Sequence, residues 1–244
     1  MARAQSPLPS DAEIDGILAE RIDYYQSGVG MVVGVIGPEG RRIVTHGVRD
    51  PGDRRPLDAD TEFEVGSITK AFVGLLLEDM VGRGEVKLSD PINRFLPPQA
   101  QTPLQDGRAI TLLDLATHTS GLPEEPPGLD PKNPFASYST DQLATFLSTY
   151  RYPWAIGSRF DYSNLGYGLL GYGLGRAGRS DLPSLARDRI LQPLGLSDTA
   201  FKLSPDQAGR LAPGHDAALQ PTPPWDHSSL FEGSGAYIPL PTIC

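Results

Sequence analysis

Phe63-Glu64-Val65-Gly66-Ser67-Ile68-Thr69-Lys70 runs straight into Ala71-Phe72-Val73-Gly74-Leu75-Leu76-Leu77. Apolar residues at Ile68, Phe72, Leu75, Leu76 and again at Val73, Leu77 and Met80 predict a helix that is apolar nearly all round, and such a helix belongs in a core. Gly66 lets the chain turn into it, and Gly82 and Gly84 stand where a C-terminal cap is expected. Ser67 and Lys70 are three apart, which puts hydroxyl and ammonium on one helical face. A serine hydroxyl is a weak nucleophile until a neighbouring base takes its proton, and a desolvated lysine can be that base. The same pattern also suits a surface Ser and Lys one turn apart, since a four-residue motif recurs by chance. Against that stands the cost of a lysine in an otherwise apolar helix unless it is paired or functional.

Composition narrows the field. The 244 residues are enough to bury a substantial core. A net charge of -9 and a pI near 4.9 argue against a nucleic-acid partner, which requires clustered Lys and Arg. No run of 18 apolar residues predicts a membrane span. The first residues, Met1-Ala2-Arg3-Ala4-Gln5-Ser6-Pro7, lack the apolar centre of a signal peptide, so the expectation is a cytoplasmic protein, or a periplasmic one if a leader was removed. Cys244 is the single cysteine, and His46, His118, His215 and His227 are scattered without ligand spacing, so no metal and no cofactor are expected.

Taken in order, residues 11–26 predict an amphipathic helix with Asp11 as N-cap, and 31–36 and 41–48 a hairpin of two strands. Leu88–Pro98 predicts a short helix with Pro91 at its first position, and 110–118 another capped by Thr111. Helices are expected over 141–150, 165–174 and 182–190, and the chain after Ser204 reads as loop. Tyr162-Ser163-Asn164 precedes one of these helices, and residues two apart on extended chain point the same way, so a phenol and an amide can face one cleft. Equally, Tyr162 suits a buried phenol and Asn164 a helix cap.

Together, Ser67-x-x-Lys70 after Phe63-Glu64-Val65-Gly66, then Leu115-x-x-His118-Thr119-Ser120-Gly121-Leu122-Pro123, then Tyr162-Ser163-Asn164, then Pro193-Leu194-Gly195-Leu196, resemble the beta-lactamase-related serine hydrolases. That group holds class C beta-lactamases, D-Ala-D-Ala carboxypeptidases and family VIII esterases. The resemblance runs from about Gly30 to Leu203. It implies that Ser67 is the acylated nucleophile, that Lys70 and Tyr162 share the acid–base work, and that Asn164 orients Lys70 or the substrate amide. It gives His118 a structural place rather than a catalytic one.

The resemblance also implies an α+β, three-layer beta-lactamase/transpeptidase-like fold, with an antiparallel sheet and a mainly helical region. Ser67 and Lys70 would lie on the floor of a cleft and Tyr162 and Asn164 on its wall. Three regions are expected: 10–84 with the N-terminal helix, hairpin and nucleophile helix; 85–204, mainly helical; and 205–244, a loop-rich tail. The family's third motif, Lys-Thr-Gly or His-x-Gly, is not found, and Gly235 leads into a Pro-containing stretch instead of a helix. The expectation is therefore a chain cut short relative to its kin, with an incomplete sheet whose open edge invites a second copy of the chain. One oxyanion donor would be lost, which costs on the order of 10²–10³ in rate. The expected function is a serine hydrolase forming an acyl-enzyme on Ser67 and cleaving a small ester or a beta-lactam. The alternative is a catalytically impaired, penicillin-binding-like remnant that binds a ligand or associates with itself.

Overall fold

Ser10 starts the first helix, α1 (Asp11–Ala19), through a capping box: its hydroxyl accepts from the Glu13 N–H, and the Glu13 carboxylate accepts from the Ser10 N–H at 2.7 Å. In the computed structural model, residues 8–38, 40–130, 132–235 and 237–239 are described. The expected cap, Asp11, is instead the first helical residue, because Ser10 with Glu13 three positions on satisfies two orphan donors at once. The predicted single helix to residue 26 changes character at Glu20, where the chain continues as one wider turn to Tyr24.

Strands β1 (Gly30–Gly37) and β2 (Gly40–Asp50) pair antiparallel, with Met31 opposite His46 and Val33 opposite Val44. Side chains alternate faces along a strand, so Met31, Val33 and Val35 share one side and pack against Ile14, Leu18 and Val44. Strand β3 (Asp53–Pro56) extends the sheet in the order β1-β2-β3. Both ring nitrogens of His46 meet carboxylates, Nδ1 with Asp15 at 3.1 Å and Nε2 with Asp23 at 3.0 Å. Among the described residues, those from 8 to 64 and Leu203–Pro224 fall in one compact unit. In that unit Ser204 and Gln207 make a second capping box, and a helix covers Pro205–Arg210 where the sequence reads as loop.

Val65–Lys202 with Trp225–Tyr237 form the second unit. Helix α2 (Thr69–Gly82) is entered through a single tighter turn, Gly66–Ile68, for which Gly66 adopts φ +52°. Its Lys70, Phe72, Val73, Leu76, Leu77 and Met80 are buried, while Ala71, Leu75 and Glu78 face outward. It ends as a Schellman motif: Glu85 N–H donates to Met80 O at 3.0 Å, Gly84 N–H donates to Val81 O at 2.9 Å, and Gly84 takes φ +71°.

The predicted helix over 88–98 is reduced to one turn, Ile92–Arg94. Its backbone pairs sideways instead, Ile92 N–H with Ile110 O and Leu112 N–H with Asp90 O. Helix α3 (Leu112–Ala116) follows its Thr111 capping box, and α4 (Thr140–Thr149) follows Ser139. Helix α5 (Asn164–Ala177) is the hub of this unit, packing on α2, α3 and the 232–234 turn, with α6 (Leu182–Ala186) after it. Its glycines permit close approach. A methyl on Gly168 would overlap the Leu230 carbonyl, and one on Gly171 would stand 3.0 Å from the Gly233 Cα. These contacts seat Leu230–Ser234 directly on α5. Among the described residues no helix is long and apolar enough to cross a membrane.

Candidate active site

Ser67 lies in the first turn of its helix, where backbone N–H groups have no acceptor within the helix. Its side chain is exposed, whereas Lys70, one turn on, is only 6% exposed. The Ser67 hydroxyl lies 2.5 Å from the Tyr162 hydroxyl and accepts from Lys70 Nζ at 3.1 Å. Lys70 Nζ also donates to Asn164 Oδ1 at 2.8 Å and to the Ser234 carbonyl at 3.3 Å. The ammonium stands 4.9 Å from the centre of the Tyr162 ring and 5.7 Å from that of Tyr167. All four residues singled out in the sequence are thus brought together, and Ser234, which the sequence did not single out, joins them.

Asn164 is free to reach Lys70 because it does not cap its helix. The cap is Ser163, whose Oγ accepts from Gly166 N–H at 2.8 Å and donates to Pro123 O at 2.6 Å. The Tyr162 segment is itself templated by residues 118–124. Asp161 N–H donates to His118 O at 2.7 Å, Ser163 N–H donates to His118 Nδ1 at 3.1 Å, and the Asn164 and Leu165 N–H groups both donate to Glu124 O. The His118 ring stacks on Tyr162 with centroids 4.6 Å apart.

Two pKa shifts follow from this packing. Burial pushes the Lys70 ammonium below the usual lysine value, opposed by the hydrogen bond and charge of Tyr162 and by the charge of Glu124. Burial, then the charge of Lys70, also hold His118 below the usual histidine value, which keeps its Nδ1 an acceptor for Ser163. The Ser67 hydroxyl, the Lys70 amine and the Tyr162 phenol therefore form one contiguous array open to solvent at Ser67. Such an array can activate a hydroxyl for attack on a carbonyl and return a proton to a leaving group.

The family model described as Beta-lactamase matches residues 17–236, nearly the whole chain. The chain belongs to the beta-lactamase family. Among relatives of this family, the D-alanyl-D-alanine-carboxypeptidase/endopeptidase AmpH of Escherichia coli (strain K12) is 34% identical over 224 residues, 91% of this chain and 57% of AmpH. The esterase EstB of Burkholderia gladioli is 31% identical over 206 residues, 79% of this chain and 52% of EstB. The solved beta-lactamase/D-alanine carboxypeptidase of Yersinia pestis superposes with a TM-score of 0.80 at 30% identity, covering 96% of this chain and 66% of that one. The fold is therefore of the beta-lactamase/transpeptidase-like type, and the chain spans between half and two thirds of the length of these relatives.

Proposed function

We propose that this beta-lactamase-family chain is a serine hydrolase that forms an acyl-enzyme on Ser67 and hydrolyses a small ester or a beta-lactam. The observation that carries the reading is the double contact of Ser67 Oγ, with Lys70 Nζ at 3.1 Å and Tyr162 Oη at 2.5 Å. As Oγ attacks the substrate carbonyl, its proton passes into the Lys70–Tyr162 pair and a tetrahedral intermediate forms. Collapse breaks the bond to the leaving oxygen or nitrogen, which takes that proton through Tyr162. Water then attacks the ester on Ser67, activated by the same pair, and releases the acid and the free hydroxyl. Asn164 and the Ser234 carbonyl fix Lys70 so that it points at Oγ throughout.

The relatives named for carboxypeptidase, beta-lactamase and esterase activities support a reaction of this acyl-transfer type. Intact mass after incubation with a fluorophosphonate and, separately, with a penicillin tests the reading. One adduct per chain on the wild type and none on Ser67→Ala is the expected result. Folded wild type without an adduct from either probe would overturn it, and the rate at which the penicillin adduct is lost separates beta-lactamase from penicillin-binding behaviour.

A further inference from the structure

His227 takes no part in the mechanism above, yet its ring lies against the backbone that receives Lys70. One side of the ring stacks on Phe135, with centroids 5.4 Å apart and planes 17° from parallel. Phe135 in turn packs on Phe231 at 4.8 Å, and Ser228 N–H donates to Phe135 O at 2.9 Å, so the ring is anchored through the residue that follows it. Its other edge faces Gly235. That glycine has an extended backbone, φ −150° and ψ 149°, which any residue adopts. What a side chain there would meet is His227: a methyl would stand 2.5 Å from Cε1 and closer still to Nε2. The glycine is required by the ring, not by its own dihedrals.

Gly235 follows Ser234, whose carbonyl takes one of the hydrogen bonds of Lys70. Ser234 is held from behind, because its N–H and Oγ both donate to Phe231 O at 2.8 and 2.7 Å. Gly233 is wedged against the Tyr167 carbonyl of α5. The side facing Gly235 is closed by the ring. We propose that His227 is a positioning residue, whose ring backs the Ser234–Gly235 backbone and holds the Ser234 carbonyl on Lys70 while keeping water from that side. Burial holds His227 below the usual histidine value, and the charge of Lys70 adds to this against the Trp225 backbone and Asp226, so a neutral ring suits the place.

The inference rests on the serine-hydrolase reading for its consequence on rate, but not for its effect on Lys70. The test is a double-mutant cycle of His227→Ala and Gly235→Ala, read by the rate of fluorophosphonate labelling across pH and by NMR titration of the Lys70 ammonium. Each single change should slow labelling about tenfold, since a small misplacement of a catalytic group is costly. Each should also move the midpoint upward, because water reaching Lys70 removes part of the burial that lowers its pKa. In the double variant the new methyl enters the space the ring has left, so labelling should be no slower than in either single variant.

Independent effects that multiply to about a hundredfold, or a wild-type rate and midpoint in His227→Ala, would overturn the proposal. A folding defect alone lowers the labelled fraction without moving the midpoint, and thermal melts followed by circular dichroism identify it. If His227→Ala does not fold, the midpoint of Gly235→Ala decides. If folded wild type is not labelled at all, the serine-hydrolase reading fails, and the Lys70 titration of the variants still decides the role of His227.

Discussion

The Ser163 N–H donates to Nδ1 of His118 over 3.1 Å, which makes the imidazole the template on which the Tyr162–Asn164 segment is folded. Removing the acceptor leaves a buried N–H unsatisfied. His118→Leu should therefore destabilise the protein by about 1–3 kcal/mol, and His118→Asn, which keeps an acceptor at that position, by less. Urea unfolding reads the difference, and equal losses would show that the Nδ1 bond is not what holds the segment. The pH dependence has a definite sign. Because the folded pKa lies below the ordinary 6.5, the unfolded chain binds the proton first, and this contribution is lost as pH falls below about 6.5.

Lys70 donates to Ser67, Asn164 and Ser234. Lys70→Arg keeps a cation but places a planar, permanently charged group there, so it cannot accept the Ser67 proton. Labelling of Ser67 should fall on the order of 10²–10⁴-fold in Lys70→Arg and in Lys70→Met alike. In the wild type, labelling should rise with pH to a midpoint below 10.5, the ordinary lysine value, because burial lowers Lys70. A midpoint at or above that value would contradict the assigned base.

Glu124 is exposed, and its charge opposes the effect of burial on Lys70. Glu124→Gln should move the labelling midpoint to lower pH. The displacement should shrink at 1 M salt, where charges are screened within about 3 Å. A displacement that survives high salt unchanged would point to an altered Asn164 position instead, since the Glu124 carbonyl accepts from the Asn164 and Leu165 N–H groups.

Two helical glycines should respond to alanine with opposite signs. A methyl at Gly168 overlaps the Leu230 carbonyl, so Gly168→Ala should cost about 1–3 kcal/mol and slow labelling by displacing Leu230–Ser234. Gly16 of α1 has no neighbour within 4 Å of a would-be methyl, so Gly16→Ala should stabilise by about 0.5–1 kcal/mol without changing labelling. Equal denaturation midpoints for the two variants would refute this assignment of close packing.

His46 titrates in the opposite sense to His118. Its bonds to Asp15 and then Asp23 raise its pKa above 6.5. Its stabilising contribution is therefore complete below about 6.5 and is lost as pH rises through the folded value. Amide exchange in α1 should be slower, relative to the intrinsic rate, at pH 6 than at pH 8. His46→Gln should remove that difference while leaving the Ser67 array unaffected.

Much of this organisation is legible in the chain, for local reasons. The Ser67–Lys70 pairing follows from the helical repeat, the hairpin from the strand-like runs 31–36 and 41–48 on either side of a Gly-Pro turn, and the end of α2 from Gly84. The misses are local too, but each turns on a competition between hydrogen-bond partners. Ser10 displaced Asp11 as cap because Glu13 completes the box, and Ser204 with Gln207 made a helix where proline content suggested loop. The helix expected at Pro91 stops at one turn because residues 90–92 bond to residues 110–112.

The residue types of the array and their order are written in the chain, and the three-residue spacing of Ser67 and Lys70 sets them one helical turn apart. That Asn164 reaches Lys70, that the Ser234 carbonyl completes its acceptors and that His118 shapes the wall depends on the folded chain. Those contacts join residues separated by 45 to 164 positions. They exist because Ser163 took the cap and the α5 glycines let the 230–234 backbone approach, outcomes of packing that no local pattern encodes.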